Sequence, residues 1–197
     1  MSQDRNRRGE RPLPTTAYAL LGLLTFGQEL TGYELKQWAD STLRFYWVSP
    51  AMSQVYSELG RLRDRGLVDA LETGGPRRRV TTRYRINDEG SAELRRWLTE
   101  SEPEFPVLKH PVALRLLLGH LVDPDSVRGW LEDYDAALAA RRRELQNVLD
   151  GIDDDPSFRF PAFVARWGLR YYDAEAAVVD EIGDDIRDET AQKDPPP

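Results

Sequence analysis

Residues 49–86 read SPAMSQVYSELGRLRDRGLVDALETGGPRRRVTTRYRI, and their pattern decides the fold. Ser49 followed by Pro50 has the form of a helix start, a hydroxyl N-cap with proline at the first helical position. The spacing predicts a helix over 51–65 that stops at Gly66, a residue free to turn left-handed after a helix. Met52, Val55, Tyr56, Leu59 and Leu62 recur at steps of three and four and form its apolar side. Gln54, Ser57 and Arg61 fall on the other side, and Gly60 costs the helix some stability. A short apolar-rich strand is expected over 67–72. A turn with two Gly, a Pro and three Arg covers 73–79, and residues 80–86 alternate as a strand does.

Two more helices are expected upstream. Residues 16–26 are apolar nearly all round, which marks a buried helix, and Gly27 ends it. Thr31 is a candidate N-cap for a helix over 32–42, with Glu34 three residues on to complete a capping box. Downstream, Asn87-Asp-Glu-Gly caps a helix over 91–98. Three helices followed by an arginine-tipped hairpin make a winged helix-turn-helix. The expected fold is therefore mainly α with a small two-stranded β wing, followed by a helical dimerisation domain. The boundaries read as a basic arm at 1–12, the winged-helix domain at 13–100, and a proline-rich linker at 101–111. A helical domain at 112–188 and a disordered tail at 189–197 complete the chain.

The net charge of −7 hides an asymmetry. Residues 1–100 carry 16 Lys and Arg against 13 Asp and Glu, a net of +3, and residues 101–197 carry 11 against 21, a net of −10. Within 61–85, eight Arg face three acidic residues, a local +5. Screening confines such fields to roughly 8–10 Å, so the local excess decides what the surface attracts. A helix is about 10–12 Å across and fits a DNA major groove about 12 Å wide. Ser53, Gln54, Ser57 and Arg61 are placed to meet base edges, because Gln can pair with adenine and Arg with guanine. Tyr56, on the same helix, is counted with the apolar side by spacing and also among the DNA contacts. Arg77, Arg78, Arg79 and Arg83 can reach phosphates or a neighbouring minor groove, as can Arg5, Arg7, Arg8 and Arg11 of the arm. Each signal also has a plainer reading, as a solvated helix face or a solvated turn. A winged-helix module that binds protein instead of DNA is the alternative.

Residues 18–35 (YALLGLLTFGQELTGYEL), 53–68 (SQVYSELGRLRDRGLV) and 79–98 (RVTTRYRINDEGSAELRRWL) resemble PadR-type transcriptional regulators. Tyr56, Leu59, the Gly66-Leu67-Val68 exit, Tyr84 and Asp88-Glu89-Gly90 carry the match. The segment from Leu116 onward, with its two long helices, looks like the larger C-terminal domain of one branch of that family. The resemblance implies a homodimeric repressor released by a small molecule or stress; a cytoplasmic location is expected as well. Gly60, where the family often has a helix former, and the arginine-rich wing depart from the pattern.

In the second half, Leu114, Leu117, Leu118 and Leu121 keep helical spacing up to Asp123-Pro124, a further cap-and-proline start. Val127, Leu131, Tyr134, Leu138, Leu145, Leu149 and Ile152 form one stripe. Phe163, Trp167, Tyr171, Ala174, Val178, Ile182 and Ile186 form another. Long helices with narrow seams pair in bundles. The expected interface of a two-fold dimer is Leu131, Tyr134, Leu138 and Leu145 with Phe163, Trp167, Tyr171 and Val178. A hairpin within one chain is the alternative. Such a dimer would read a pseudo-palindromic operator in double-stranded DNA. Trp38, Trp47, Trp167 and Tyr171 are candidates for an effector pocket, against the plainer reading of helical aromatics as core.

Other chemistry is thin. There is no Cys, no Gly-rich phosphate loop, and no hydrolase or zinc-peptidase motif. His110 and His120 lack partners at metal-ligand spacing and read as surface or packing residues. Asp153-Asp154-Asp155 lacks a calcium-loop pattern and reads as a solvated turn. No cofactor, metal, catalytic residue or membrane partner is expected.

Overall fold

The computed structural model describes residues 12–26, 29–73, 80–107 and 109–193. They divide into two units, Met1–Pro103 and Glu104–Pro197.

The first unit contains α1 (Thr15–Leu23), β1 (Leu30–Thr31), α2 (Gly32–Thr42), α3 (Met52–Asp64), β2 (Val68–Thr73), β3 (Thr81–Ile86) and α4 (Asp88–Glu100). Its core gathers Leu20, Leu21 and Leu24 from the first helical segment, Leu35 from α2, and Val55, Leu59 and Leu62 from α3. The wing is wider than expected. The strands run β1-β3-β2, all antiparallel, with β3 in the middle. Leu30 and Thr31 pair with Tyr84 and Arg83, so the residue read only as a helix cap also closes a sheet. Thr31 still caps: its Oγ1 accepts from the Glu34 N–H at 3.1 Å, and its own N–H donates to Glu34 Oε2 at 2.8 Å.

The start of α3 differs from expectation. Ala51 is the N-cap, with no side-chain capping bond, and Pro50 lies outside the helix. The Ser49 hydroxyl donates instead to Asp40 Oδ1 at 2.6 Å, which ties the loop back to α2. The exit follows the expected form. Gly66 has φ +68°, its N–H donates to the Arg63 carbonyl at 2.8 Å, and the Leu67 N–H donates to the Leu62 carbonyl at 2.9 Å. These two bonds are the Schellman closure. Asn87 then locks the wing to α4. Its Oδ1 accepts from the Gly90 N–H at 2.9 Å, and its Nδ2 donates to the Gly66 carbonyl at 3.0 Å. Helix α4 therefore begins at Asp88, three residues earlier than expected. A Cβ at Gly90 would stand 2.1 Å from the Leu67 carbonyl oxygen, so this junction requires glycine.

The second unit contains α5 (Pro111–Leu117), α6 (Pro124–Asp150) and α7 (Arg159–Lys193). Asp123 caps α6 as expected, accepting from the Ser126 N–H at 2.8 Å. Helices α6 and α7 form an antiparallel hairpin. Asp153 pairs with Arg166, and Arg142 meets Asp173 at 2.5 Å, so residue numbers rise along one helix as they fall along the other. Helix α7 runs to Lys193, into the stretch expected to be disordered from 189; residues 189–193 include no proline or glycine to stop it. Ile152, expected on the α6 stripe, lies in the turn after that helix.

His110 is not a plain surface residue. Its Nδ1 accepts from the Ala113 N–H at 3.0 Å and caps α5, while its Nε2 lies 2.5 Å from Glu175 Oε1 and 3.2 Å from the Tyr134 hydroxyl. Burial and the Glu175 charge together push the Tyr134 phenol up.

Two glycines make opposite predictions. A Cβ at Gly60 meets nothing within 4 Å, so Gly60→Ala should raise the unfolding free energy by about 0.8–1 kcal/mol. Gly90→Ala should lower it by about 1–3 kcal/mol, since the Leu67 backbone must shift. Urea denaturation reads both. A third prediction concerns alkaline pH. Burial, and a hydrogen bond from its hydroxyl to Glu93 Oε1 at 2.8 Å, push the Tyr18 phenol up from 10.0 to about 12. The folded state then holds a proton that the unfolded state loses, so stability falls as pH rises from 10 to about 12. Tyr18→Phe should make that slope shallower in urea melts across the window.

Candidate nucleic-acid interface

Helix α3 has one face in the core and one in solvent. Val55, Leu59 and Leu62 are fully buried. Ser53, Gln54, Ser57 and Arg61 are all exposed, and Ser53, Ser57 and Arg61 follow one another at steps of four. The core contact of the helix thus fixes which side chains project. Gln54 is lightly held, its Nε2 donating to Thr16 Oγ1 at 3.4 Å. Arg61 is held more closely, with Nε 3.3 Å from Glu58 Oε2.

Tyr56 stands apart from the apolar side that its spacing suggested, with 51% of its surface exposed. Its ring lies across the start of α2, where a Cβ on Gly32 would come within 2.5 Å of ring carbon Cε1. Glycine at position 32 lets the two helices approach, and Tyr56 fills the gap. Tyr33, the next residue, is also exposed, and its hydroxyl accepts from Gln37 Nε2 at 3.3 Å. The sequence reading passed over Tyr33 and Glu58. The Glu-x-x-Arg step at 58 and 61 was the available signal for the second.

The wing arginines fall into two sets. Arg77, Arg78 and Arg79 lie outside the described residues, as do Arg5, Arg7, Arg8 and Arg11. Arg83, expected to reach DNA, also has partners within the chain. Its Nη1 donates to the Glu29 carbonyl at 2.6 Å, and its Nη2 donates to Glu34 Oε1 at 3.3 Å. Two of its five N–H donors thus fasten β3 to the start of α2. The Thr31 N–H bond, with Arg83 adding to it, holds the Glu34 carboxyl below its usual range. Arg85 is likewise paired across the wing, 3.0 Å from Asp69, and that contact lowers the Asp69 carboxyl.

In the second unit the expected dimer residues separate. Leu131, Leu138 and Leu145 are buried, and the α7 residues buried in the same unit are Ala162, Ala165, Leu169, Tyr172 and Val179. The α6 stripe, expected at a dimer seam, is thus covered by α7 within one chain. The reason is the small residues on α7: a Cβ at Gly168 would come within 2.6 Å of Leu145 Cδ2. Tyr134 is half-buried, with its hydroxyl donating to Glu175 Oε1 at 3.3 Å. Phe163, Trp167, Tyr171 and Val178 remain on the outer face of α7, and Trp167 is 76% exposed. Leu114, Leu117, Leu118 and Leu121 are exposed as well. The four aromatics expected at an effector pocket also divide. Trp38 and Trp47 pack against the core of the first unit. Trp167 and Tyr171 belong to the exposed face of the second.

Comparison with known proteins agrees with this layout. The model of the transcriptional regulator PadR-like family matches residues 20–96, and that of the virulence activator alpha C-terminal region matches 108–185. The negative transcriptional regulator PadR of Bacillus subtilis is 36% identical over 149 residues, covering 74% of this chain and 81% of that protein. The chain belongs to the PadR-like family of transcriptional regulators. It is accordingly a DNA-binding regulator and not an enzyme. Two crystal structures of Bacillus subtilis PadR share the fold. The complex with operator DNA superposes with TM-score 0.77 at 24% identity, covering 88% of this chain and 99% of that one. The complex with p-coumaric acid gives TM-score 0.71 at 24% identity, with the same coverage. Within the described residues of this PadR-like regulator, no helix is long and apolar enough to cross a membrane.

The two classes of polar residue should separate in stability measurements. Arg83→Ala should lower the unfolding free energy of this PadR-like regulator by about 0.5–1.5 kcal/mol, since it strips donors from a backbone carbonyl and a half-exposed carboxylate. Gln54→Ala and Ser57→Ala should each stay within about 0.5 kcal/mol of wild type. Tryptophan fluorescence during urea titration measures all three.

Proposed function

We propose that this PadR-like protein is a homodimeric cytoplasmic repressor that reads a pseudo-palindromic operator and leaves it when a small molecule binds. The observation that carries the reading is the divided surface of α3. Its buried leucines fix the helix, so Ser53, Gln54, Ser57 and Arg61 are presented together to solvent. In a major groove these side chains meet base edges, Tyr56 lies beside them at the α2–α3 junction, and Arg77, Arg78 and Arg79 meet phosphates. Arg83 ties the wing to Glu29 and Glu34 with two donors and offers its remaining donors to a phosphate.

The second copy is supported by the outer face of α7. Four large apolar side chains there, Phe163, Trp167, Tyr171 and Val178, are exposed although α7 already packs on α6. Removing the exposed part of each from water is worth about 1 kcal/mol or more, and an exposed apolar stripe of this kind marks an interface. A two-fold dimer sets two copies of α3 about one DNA turn apart, ~34 Å, or a multiple of it. The operator complex and the p-coumaric acid complex of the Bacillus subtilis relative support the two ligands of the cycle. An effector displaces DNA only by binding better to the conformation that does not fit the operator. p-Coumarate, the ligand in the complex of that relative, is the first compound to titrate.

Three measurements check this reading. Light scattering should return a dimer at micromolar concentration, and Trp167→Glu should shift it toward monomer and weaken operator binding; a wild-type monomer overturns the dimer. Gel shifts should weaken steeply with salt. Replacing Arg77, Arg78 and Arg79 together by Ala should reduce the slope of log affinity against log salt by about 0.9 for each phosphate that is no longer neutralised. An unchanged slope removes the wing from the interface.

A further inference from the structure

Glu58 is a carboxylate in an apolar wall. It is 6% exposed, and its neighbours on the same face of α3, Val55, Leu59 and Leu62, are at 0%. Its Oε2 has no hydrogen-bond partner among the described residues. A carboxylate so placed is costly unless a cation compensates it. Arg61, three residues on, supplies one: Nε sits 3.3 Å from that same oxygen, as an ion pair and not as an aligned hydrogen bond. The Arg61 side chain nevertheless stays 44% exposed.

This arrangement has two consequences for the guanidinium. Contact through Nε restrains one side of the guanidinium and leaves the Nη1/Nη2 pair, which can bond O6 and N7 of guanine, for another partner. The carboxylate also offsets the charge of Arg61. A phosphate anchor needs uncompensated charge, whereas a base-reading fork needs a fixed orientation. The pair is poor at the first task and suited to the second.

We infer that Glu58 is a positioning residue for specificity: its buried carboxylate aims Arg61 so that the guanidinium reads a guanine instead of gripping a phosphate. The inference rests on the reading that α3 lies in a DNA groove. Selection of bound sites from a random duplex pool tests both, using the full-length wild type, Arg61→Ala, Arg61→Lys and Glu58→Gln. The wild type should show a guanine preference at one position in each half-site that Arg61→Ala abolishes. If Arg61→Ala alters no base preference, the groove reading fails at this residue and the inference falls with it.

Given an Arg61-dependent position, Glu58→Gln should lower its guanine preference at least fivefold while leaving the other positions unchanged. It should also steepen the salt dependence of non-specific binding by up to about 0.9 in log–log slope, as the freed charge finds a phosphate. A folded Glu58→Gln protein that keeps the preference to within less than fivefold, or the wild-type slope, overturns the inference and leaves the groove reading standing. If Glu58→Gln does not fold, Arg61→Lys decides. It keeps the charge over Glu58 but lacks the fork, so it should lose the guanine preference with an unchanged salt slope. Retention of the preference overturns the inference.

Discussion

Helix α3 must satisfy two environments at once, and the rest of the first unit is arranged around that constraint. Val55, Leu59 and Leu62 anchor it against α1 and α2, leaving no rotational freedom about its axis. Every outward residue inherits its direction from that inward contact. The neighbouring devices hold the helix in place. The Schellman closure at Gly66 ends it, Asn87 ties that end to α4, and the Tyr56 ring sets its distance from α2 at Gly32. Arg83 has a related duty, fastening the central wing strand to the α2 start. A guanidinium beside the α3 surface can therefore serve the scaffold through some of its donors.

The second unit solves a different problem with the same economy. Helix α7 presents a small-residue side, with Ala162, Ala165 and Gly168, and a large aromatic side, with Phe163 and Trp167. Small residues let α6 approach closely, so the hairpin closes within one chain. The bulky side is left for a different neighbour. One helix can serve both because a period of 3.6 residues keeps the two stripes on separate faces.

Much of the first unit was legible in the sequence because its signals are local. Capping at Thr31, the glycine exit at Gly66 and the alternation over 80–86 each depend on residues a few positions apart. Ser49-Pro50 misled because the Ser49 hydroxyl has a distant alternative in Asp40, a competition that only tertiary structure decides. Leu30–Thr31 was missed as a strand because two residues carry no period, and the pairing partner lies more than fifty positions away. The polar face of α3 was read correctly as exposed. The internal bonds of Arg83 were not legible, since one of them goes to a backbone carbonyl at Glu29 that no residue pattern reveals. The α6 stripe was recognised, but the partner it packs against was not. A periodic apolar face records that something covers it and is silent about which chain supplies the cover.

The lightly tethered side chains of α3 bear on how such a regulator acquires new targets. Ser53, Gln54 and Ser57 are exposed, and the hydrophobic packing lies on the opposite face. These positions can be exchanged during evolution or engineering without rebuilding the scaffold, much as type is reset in a fixed frame. Position 61 is different, because any replacement there that removes the positive charge leaves the carboxylate of Glu58 stranded among leucines, and the two must change together.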